Sequence, residues 1–217
     1  MSIKGVIFDF GGVIMRTEDR NPRLALAAKY NVPIEVIEEL VFRGSSAKMA
    51  ELGNISAYQH WKVVAQVLGA HEEEIPTIRQ QFFSGDRLNW DLIKYIQKLR
   101  QNYRTALLSN AFDDLRAELT GVSPAPSAYS ISALDHFLDY FDEVIISAEI
   151  GLSKPGHQIY QYAAERLKLD IGECVFIDDY LPNVKGALQA GMQAIQFVDT
   201  SQVCQDLKAI LDNKYSY

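Results

Sequence analysis

Acidic residues that follow short apolar runs are the first chemical feature of this sequence. Asp9 ends the run from Ile3 to Phe8, and Asp178 and Asp179 directly follow another run. Clustered carboxylates repel one another unless they share a cation, and Mg²⁺ binds one or two carboxylates together with waters and substrate oxygens. If the fold brings the three acids together, they predict a site for a divalent metal ion.

Two polar pairs, Ser109-Asn110 and Lys154-Pro155, follow apolar runs elsewhere in the chain. Alone, each pair is typical of an ordinary strand end or turn. Beside a carboxylate cluster, however, a lysine neutralises negative charge and holds a phosphoryl oxygen, while a serine hydroxyl donates a hydrogen bond to another oxygen. The set therefore indicates phosphate chemistry, with Asp9 as a nucleophile that forms an aspartyl-phosphate.

Short apolar strands that alternate with helices must position these groups. Such alternation predicts βαβ units with right-handed crossovers, and hence a parallel sheet that is covered by helices on both faces. Ligands of such sheets lie beyond the carboxyl ends of the strands, so the polar groups are predicted to meet at one edge. The predicted strands are Ile3–Phe8, Thr105–Leu108, Val144–Ile146, Cys174–Ile177 and Ala194–Val198.

A long stretch between the first two strands has apolar residues at helical rather than strand spacing. Its clearest helix start is Ser56-Ala-Tyr-Gln59, which has the form of a capping box, and Asn89 is placed to cap the helix that comes after the stretch. The pattern predicts a helical insertion over residues 16–88 within an α/β core made of residues 1–15 and 89–217.

Composition limits the class of protein. Of 217 residues, 48% are hydrophobic and 23% charged, which is typical of a globular chain, and the net charge of −7 argues against nucleic acid as a partner. Two cysteines without ligand spacing suggest neither a disulfide framework nor a zinc site. Because no membrane span or signal peptide is recognisable, we expect a cytoplasmic protein, and we leave open whether it is a monomer or a homodimer. Thr120–Ser132, rich in Ser, Pro and Ala, predicts an irregular loop.

Four stretches, in order, resemble the motifs of the haloacid dehalogenase-like (HAD) hydrolases. They are Val6–Ile14, Leu107–Asn110, Lys154-Pro155 and Val175–Asn183. Within the family, the chain is similar to phosphatases with a helical cap after the first strand, such as alpha-D-glucose-1-phosphate phosphatase. The resemblance implies a three-layer, Rossmann-like α/β core and a cap that covers the site and selects the substrate. Arg43, Lys48 and Tyr58 are cap candidates for contacting that substrate.

The resemblance also implies the roles of the site residues. It implies that Asn183 orders the last motif loop. The implied catalytic and substrate-binding residues are Asp9, the nucleophile, and Ser109, Asn110 and Lys154, which hold the phosphate ester. The implied Mg²⁺ ligands are Asp9, the backbone carbonyl of Gly11, Asp178 and Asp179.

Gly11 departs from the usual pattern of the family. Typical members carry Asp two residues after the nucleophile as a general acid, a contribution of roughly 10²–10⁴-fold in rate. Sugar-phosphate phosphatases that resemble this chain also have Gly there, and Glu18 or Asp19 is a hypothetical substitute acid. The predicted function is Mg²⁺-dependent hydrolysis of a small phosphate ester, with a sugar phosphate as the expected substrate.

The residues favour one alternative function and argue against another. A catalytically weak or inactive module that only binds phosphate and metal is the alternative favoured by Gly11. The dehalogenase branch of the family uses its aspartate on carbon without a metal, so it leaves the Asp178-Asp179 pair without a purpose. Phosphorus is therefore the preferred target of Asp9.

Overall fold

The computed structural model describes residues 2–121 and 137–212. From residue 122 onward, the predicted loop Thr120–Ser132 lies outside the described residues. Within the described residues, no helix combines the length and the apolar character that crossing a bilayer requires.

A five-stranded parallel sheet forms the centre of the molecule, which confirms the predicted fold class. Its strand order is β5-β4-β1-β6-β7, so β1 lies in the middle, between β4 and β6. The observed strands are β1 Gly5–Phe8, β4 Arg104–Ser109, β5 Glu143–Ile146, β6 Cys174–Asp178 and β7 Gln193–Gln196.

Helices cover both faces of the sheet because side chains alternate along each strand. Val6 and Phe8 of β1 pack in one hydrophobic cluster with residues of α6 and α11, and Ile7 packs on the opposite face with residues of α9 and α10. The side chain of Asn89 caps α6 by accepting a hydrogen bond from Leu92 N at 3.2 Å, as predicted. The core helices are α6 Trp90–Leu99, α7 Leu115–Leu119, α8 Ser147–Ile150, α9 His157–Leu167, α10 Leu181–Gln189 and α11 Thr200–Asp212.

Five α-helices lie between residues 21 and 83, and four of them contribute to a hydrophobic cluster separate from the two that flank the sheet. Trp61 and Phe82 are among its largest fully buried side chains. The capping box predicted for α4 is confirmed, since Ser56 Oγ accepts from Gln59 N and Gln59 Oε1 accepts from Ser56 N. The helices are α1 Asn21–Lys29, α2 Ile34–Phe42, α3 Ser45–Glu51, α4 Ala57–Val67 and α5 Ile75–Phe83.

A two-stranded antiparallel ladder joins the five helices to the sheet, and it was not predicted. β2, Met15–Thr17, pairs with β3, Asp86–Leu88, so the chain enters and leaves the helical segment side by side. Arg23 of α1 supports β3 because its Nη2 lies 2.9 Å from Oδ1 of Asp86. The assignment of residues 16–88 as a domain of its own stays a prediction.

Candidate active site

The carboxyl ends of the three central strands carry the polar residues of the candidate site. Asp9 directly follows β1, Ser109 is the last residue of β4, and Asp178 is the last residue of β6. Each is more than nine-tenths buried, with exposures of 7%, 3% and 0%. The three residues lie at the same edge because β1, which precedes Asp9, is between β4, which ends in Ser109, and β6, which ends in Asp178.

Lys154 provides the positive charge of this cluster. Its Nζ lies 2.7 Å from Oδ1 of Asp9 and 2.8 Å from Oδ2 of Asp178, and it donates to the carbonyl oxygen of Leu108 at 3.2 Å. The lysine side chain is 1% exposed. A buried charge is costly unless it is paired, so an ammonium with three acceptors is held in one position.

Three carboxylates of the cluster suit a divalent cation. One oxygen each from Asp9, Asp178 and Asp179 lie within 4.8 Å of one another, and Asp179 is exposed to solvent. An all-oxygen donor set with one open side fits Mg²⁺, which keeps several waters when protein-bound. Asp178 is oriented by Tyr180 N at 2.8 Å and by Asn183 Nδ2 at 3.0 Å.

Burial and mutual repulsion determine the electrostatics of the cluster. Burial raises the pKa of the Asp9 carboxyl, and the Lys154 ammonium opposes that change. Burial by itself lowers the pKa of Lys154, but the carboxylates of Asp9 and Asp178 outweigh burial and raise it. The carboxyl group of Asp179 is only partly covered, and this partial burial first and the Asp178 charge second raise its pKa. One ammonium thus faces three carboxylates, an excess of negative charge that a cation relieves.

The two glycines after Asp9 differ in the space around them. Gly12 has φ +79°, and a Cβ atom at this position would lie 2.3 Å from Oδ2 of Asp179. The loop after β1 therefore packs directly on the third carboxylate, which requires glycine. A Cβ atom at Gly11 would meet nothing within 4 Å. The role of the Gly11 carbonyl as a metal ligand stays a prediction.

Asn110 contacts the backbone of Lys154. Its Nδ2 donates to the carbonyl oxygen of Lys154, and its Oδ1 accepts from Lys154 N, both at 2.9 Å. These paired bonds hold the loop that carries the lysine, a positioning contact that the sequence did not reveal. The predicted substrate contacts of Ser109, Asn110 and Lys154 stay predictions.

A cavity of about 70 Å³ lies where the helical segment meets the core, next to Asn110. We call it the Glu51 cavity; Glu51, Trp61 and Arg79 line it from the helices, and Asn110 and Phe112 from the core. Sequence reasoning missed Glu51. A signal was present, because a carboxylate in the last turn of a helix opposes the helix dipole.

The other candidates of the helical segment lie elsewhere. Arg43 is exposed, and its guanidinium lies 6.0 Å from the ring centre of Tyr180, which is next to Asp179. Lys48 is exposed on α3. The hydroxyl of Tyr58 donates to Glu72. 

The two acids proposed as substitutes for the missing general acid are both exposed. Glu18 is paired with Arg16 at 3.1 Å, and Asp19 accepts a hydrogen bond from Asn21 N at 2.9 Å. Neither lines the Glu51 cavity.

Two known phosphatases resemble this chain over nearly its whole length. D-ribitol-5-phosphate phosphatase of Bacteroides thetaiotaomicron is 25% identical over 214 residues, which are 97% of this chain and 100% of that protein. A phosphatase of Mycobacterium tuberculosis is 28% identical over 227 residues, with 98% of each chain covered. Shorter matches to sesquiterpene phosphatase of Aspergillus oryzae and bifunctional epoxide hydrolase 2 of Rattus norvegicus span 45% and 14% of those proteins.

The fold and the family follow from two further comparisons. The crystal structure of a HAD family enzyme from Bacteroides thetaiotaomicron, in complex with magnesium and inorganic phosphate, matches with a TM-score of 0.70 at 24% identity and covers 93% of this chain and 99% of that chain. Residues 3–191 match the family model described as haloacid dehalogenase-like hydrolase. The protein belongs to the haloacid dehalogenase-like hydrolase family.

Proposed function

We propose that this hydrolase is an Mg²⁺-dependent phosphatase that cleaves a small phosphorylated metabolite through an aspartyl-phosphate on Asp9. The observation that carries the proposal is the buried Lys154 ammonium, which bridges Asp9 and Asp178 at 2.7 and 2.8 Å. A fully buried cation between two carboxylates at a ligand-binding sheet edge is costly, and holding a phosphoryl group gives it a purpose.

Asp9 is oriented for attack on phosphorus. Both Lys154 Nζ and Phe10 N donate to its Oδ1, at 2.7 Å each, so Oδ2 is the oxygen that we assign as nucleophile. Lys154 and the Ser109 hydroxyl hold the phosphoryl oxygens, where fixed donors stabilise the charge of the transition state. The three carboxylates and the Gly11 carbonyl would hold Mg²⁺, which would supply positive charge to offset the negative charge of the incoming phosphate.

The substrate class that we propose is a sugar or polyol phosphate. A full-length relative is named for its action on D-ribitol 5-phosphate, and the similar crystal structure contains magnesium and inorganic phosphate. We further propose that residues 16–88 form the cap, which covers the phosphate site and selects the alcohol part of the substrate. The Glu51 cavity, at the contact of this segment with the core, supports that division.

A second candidate function is a module that binds phosphate and metal without turnover. Gly11 is the observation that favours this candidate, because glycine has no side chain that could act as the general acid. Such a module would keep the buried Lys154 and the three carboxylates for binding alone.

The test is a turnover assay of the purified protein with Mg²⁺ on a panel of phosphate esters, beside Asp9→Asn. We expect wild-type turnover that depends on Mg²⁺, and a loss of at least about 10⁴-fold in the variant because the nucleophile is gone. Turnover that survives in Asp9→Asn contradicts the aspartyl-phosphate. No turnover on any ester, with inorganic phosphate still bound, supports the binding module.

A further inference from the structure

The Glu51 cavity has polar groups that the protein itself leaves unpaired. Among the described residues, Trp61 Nε1 and Arg79 Nε are buried N–H donors without a hydrogen-bond partner, and Trp61 is 2% exposed. An unmade bond of this kind costs about 1–3 kcal/mol. Both residues line the cavity, so a ligand with oxygen acceptors would provide hydrogen-bond partners for these two donors.

The cavity lies next to the phosphate site. Asn110 lines it, and the same side chain holds the backbone of Lys154 through two 2.9 Å hydrogen bonds. Ser109, the residue before Asn110, ends β4 among the buried residues of the site. A phosphate ester whose phosphoryl group lies at Lys154 therefore has the cavity available for its alcohol part.

Glu51 and Asp114 are the carboxyl groups that line the cavity, and Asp114 is paired with Arg79 at 2.6 Å. Glu51 has no such ion pair with the described residues of the cavity lining, and close packing fixes its place. It is the last residue of α3 and is half-buried. Two residues later, Gly53 has φ +70°, and a Cβ atom there would lie 2.4 Å from the carbonyl oxygen of Ala148 in α8. The end of α3 is thus held against the core by a backbone contact that only glycine allows.

Charged groups surround Glu51 from α3, from α5, from the loop of Lys154 and from Asp114 at the start of α7. Burial raises the pKa of Glu51 to about 7, while Lys154 from the core and Lys48 from α3 oppose that rise. Arg79 of α5, which also lines the cavity, is paired with Asp114 at 2.6 Å. A carboxyl group with this pKa holds a proton at neutral pH in a large share of the molecules, as a general acid must.

We propose that Glu51 is the general acid of the reaction, which contacts the leaving oxygen of a polyol phosphate, and that Trp61 Nε1 donates to a second oxygen of the alcohol. This assignment rests on the proposed phosphatase function and deepens it. An alkoxide is a poor leaving group, and Gly11 has no side chain that could protonate it. Glu51 provides the missing proton from the helical segment.

The two half-reactions balance through Glu51. In the first, an oxygen of Asp9 forms a bond to phosphorus, the bond from phosphorus to the ester oxygen breaks, and the proton of Glu51 moves to that oxygen. In the second, water attacks phosphorus, one of its protons moves to the Glu51 carboxylate, and the bond from phosphorus to Asp9 breaks. Inorganic phosphate leaves, and both carboxyl groups return to their initial states.

The experiment compares two esters in wild type and Glu51→Gln with Mg²⁺. 4-Nitrophenyl phosphate releases a phenolate that leaves without a proton, whereas D-ribitol 5-phosphate releases an alkoxide that needs one. We expect kcat on the ribitol ester to fall roughly 10²–10⁴-fold and kcat on the aryl ester to fall less than about tenfold. Glu35→Gln, on the exposed start of α2, is the matched control and should behave as wild type on both.

Further variants make each outcome decisive. Trp61→Phe, which removes the N–H donor together with part of the ring system, should raise KM for the ribitol ester more than KM for the aryl ester, which has no second alcohol oxygen. Glu51→Asp keeps a carboxyl group but withdraws it, so a selective loss on the ribitol ester is expected there too, even where Glu51→Gln does not fold. Equal losses on both esters, or a selective loss in Glu18→Gln instead, overturn the assignment. A wild type inactive on both esters, or an active Asp9→Asn, contradicts the phosphatase function instead.

Discussion

The edge of the sheet and the Glu51 cavity are two polar regions that differ in whether their polar groups have partners. At the sheet edge, Lys154 is paired with Asp9 and Asp178 within 2.8 Å. In the cavity, the Trp61 and Arg79 donors are buried without partners among the described residues. Under the proposed function, this difference means that the phosphate site is organised before substrate binds, whereas the cavity is completed by the alcohol part of the substrate.

The two regions also differ in how they are assembled. The sheet edge depends on neighbouring parallel strands, which backbone hydrogen bonds align. The cavity depends on the docking of helices against the core, through Arg79 with Asp114 at 2.6 Å and through Ala57 N donating to Asp113 Oδ1 at 2.8 Å. Changes at the sheet edge should therefore affect every substrate, and changes in the cavity should affect substrates selectively.

Removing the lysine should give the largest effect. Lys154→Met leaves the buried carboxylates of Asp9 and Asp178 without their cation, a change that costs roughly 3–5 kcal/mol of folding stability. We also expect turnover to fall roughly 10²–10³-fold on aryl and alkyl esters alike. Thermal unfolding and steady-state kinetics measure both effects.

Lys98→Met is the matched control for this change, because Lys98 is exposed on α6. Added Mg²⁺ should restore part of the stability of Lys154→Met, since it replaces the missing positive charge. A melting temperature equal to that of wild type, or a loss confined to alkyl esters, would contradict the separation of the two regions.

Gly12→Ala should give a smaller effect, on the metal site. A Cβ atom lies 2.3 Å from Oδ2 of Asp179 at this position, so the carboxylate must move, and Mg²⁺ affinity should fall roughly 10–100-fold. Calorimetric titration with Mg²⁺ measures it directly. Gly11→Ala is the control, since its Cβ meets nothing within 4 Å. Equal Mg²⁺ affinities in the two variants would show that the packing of Gly12 on Asp179 is unimportant.

The smallest effect concerns stability and pH in the cavity. The pKa of Glu51 is raised from 4.5 to about 7, so between these values the folded protein keeps a proton that the unfolded chain releases. Stability from this group is therefore present at low pH and lost as the pH rises towards 7. After allowance for partial solvent exposure, the loss is on the order of 2 kcal/mol. Between pH 4.5 and 8, the free energy of unfolding of Glu51→Gln, measured in urea, should fall by that much less than the free energy of unfolding of wild type. Parallel curves for the variant and wild type would contradict the raised pKa.

Much of the fold was predictable from local pattern. For each of the five strands of the sheet, both predicted ends lie within two residues of the observed ends. This was possible because a buried parallel strand is a short apolar run that turn residues interrupt. The capping box at Ser56 and the cap at Asn89 were predictable for the same reason, since their partners lie three residues away. Asp9 and Asp178 were recognisable because they follow such runs directly.

Several contacts were not predictable in this way. The β2–β3 ladder pairs residues about 70 positions apart, and its three-residue strands are too short to show a period. Asn110 was predicted as a substrate ligand, which stays a prediction, and its two hydrogen bonds to the backbone of Lys154, 44 residues later, were not predicted. Glu51 carried no motif, and only the docking of α3 on α8 revealed its position.

The amino-acid sequence by itself determined the strands, the caps and the acids at the strand ends, because periodicity and capping depend on residues that are close along the chain. Tertiary structure alone decided which charges meet and which donors stay unpaired. Lys154 reaches Asp9 across 145 positions, and the Glu51 cavity exists only where the helical segment packs on the core. Burial strengthens such distant contacts, and no local pattern records burial between segments that meet only on folding.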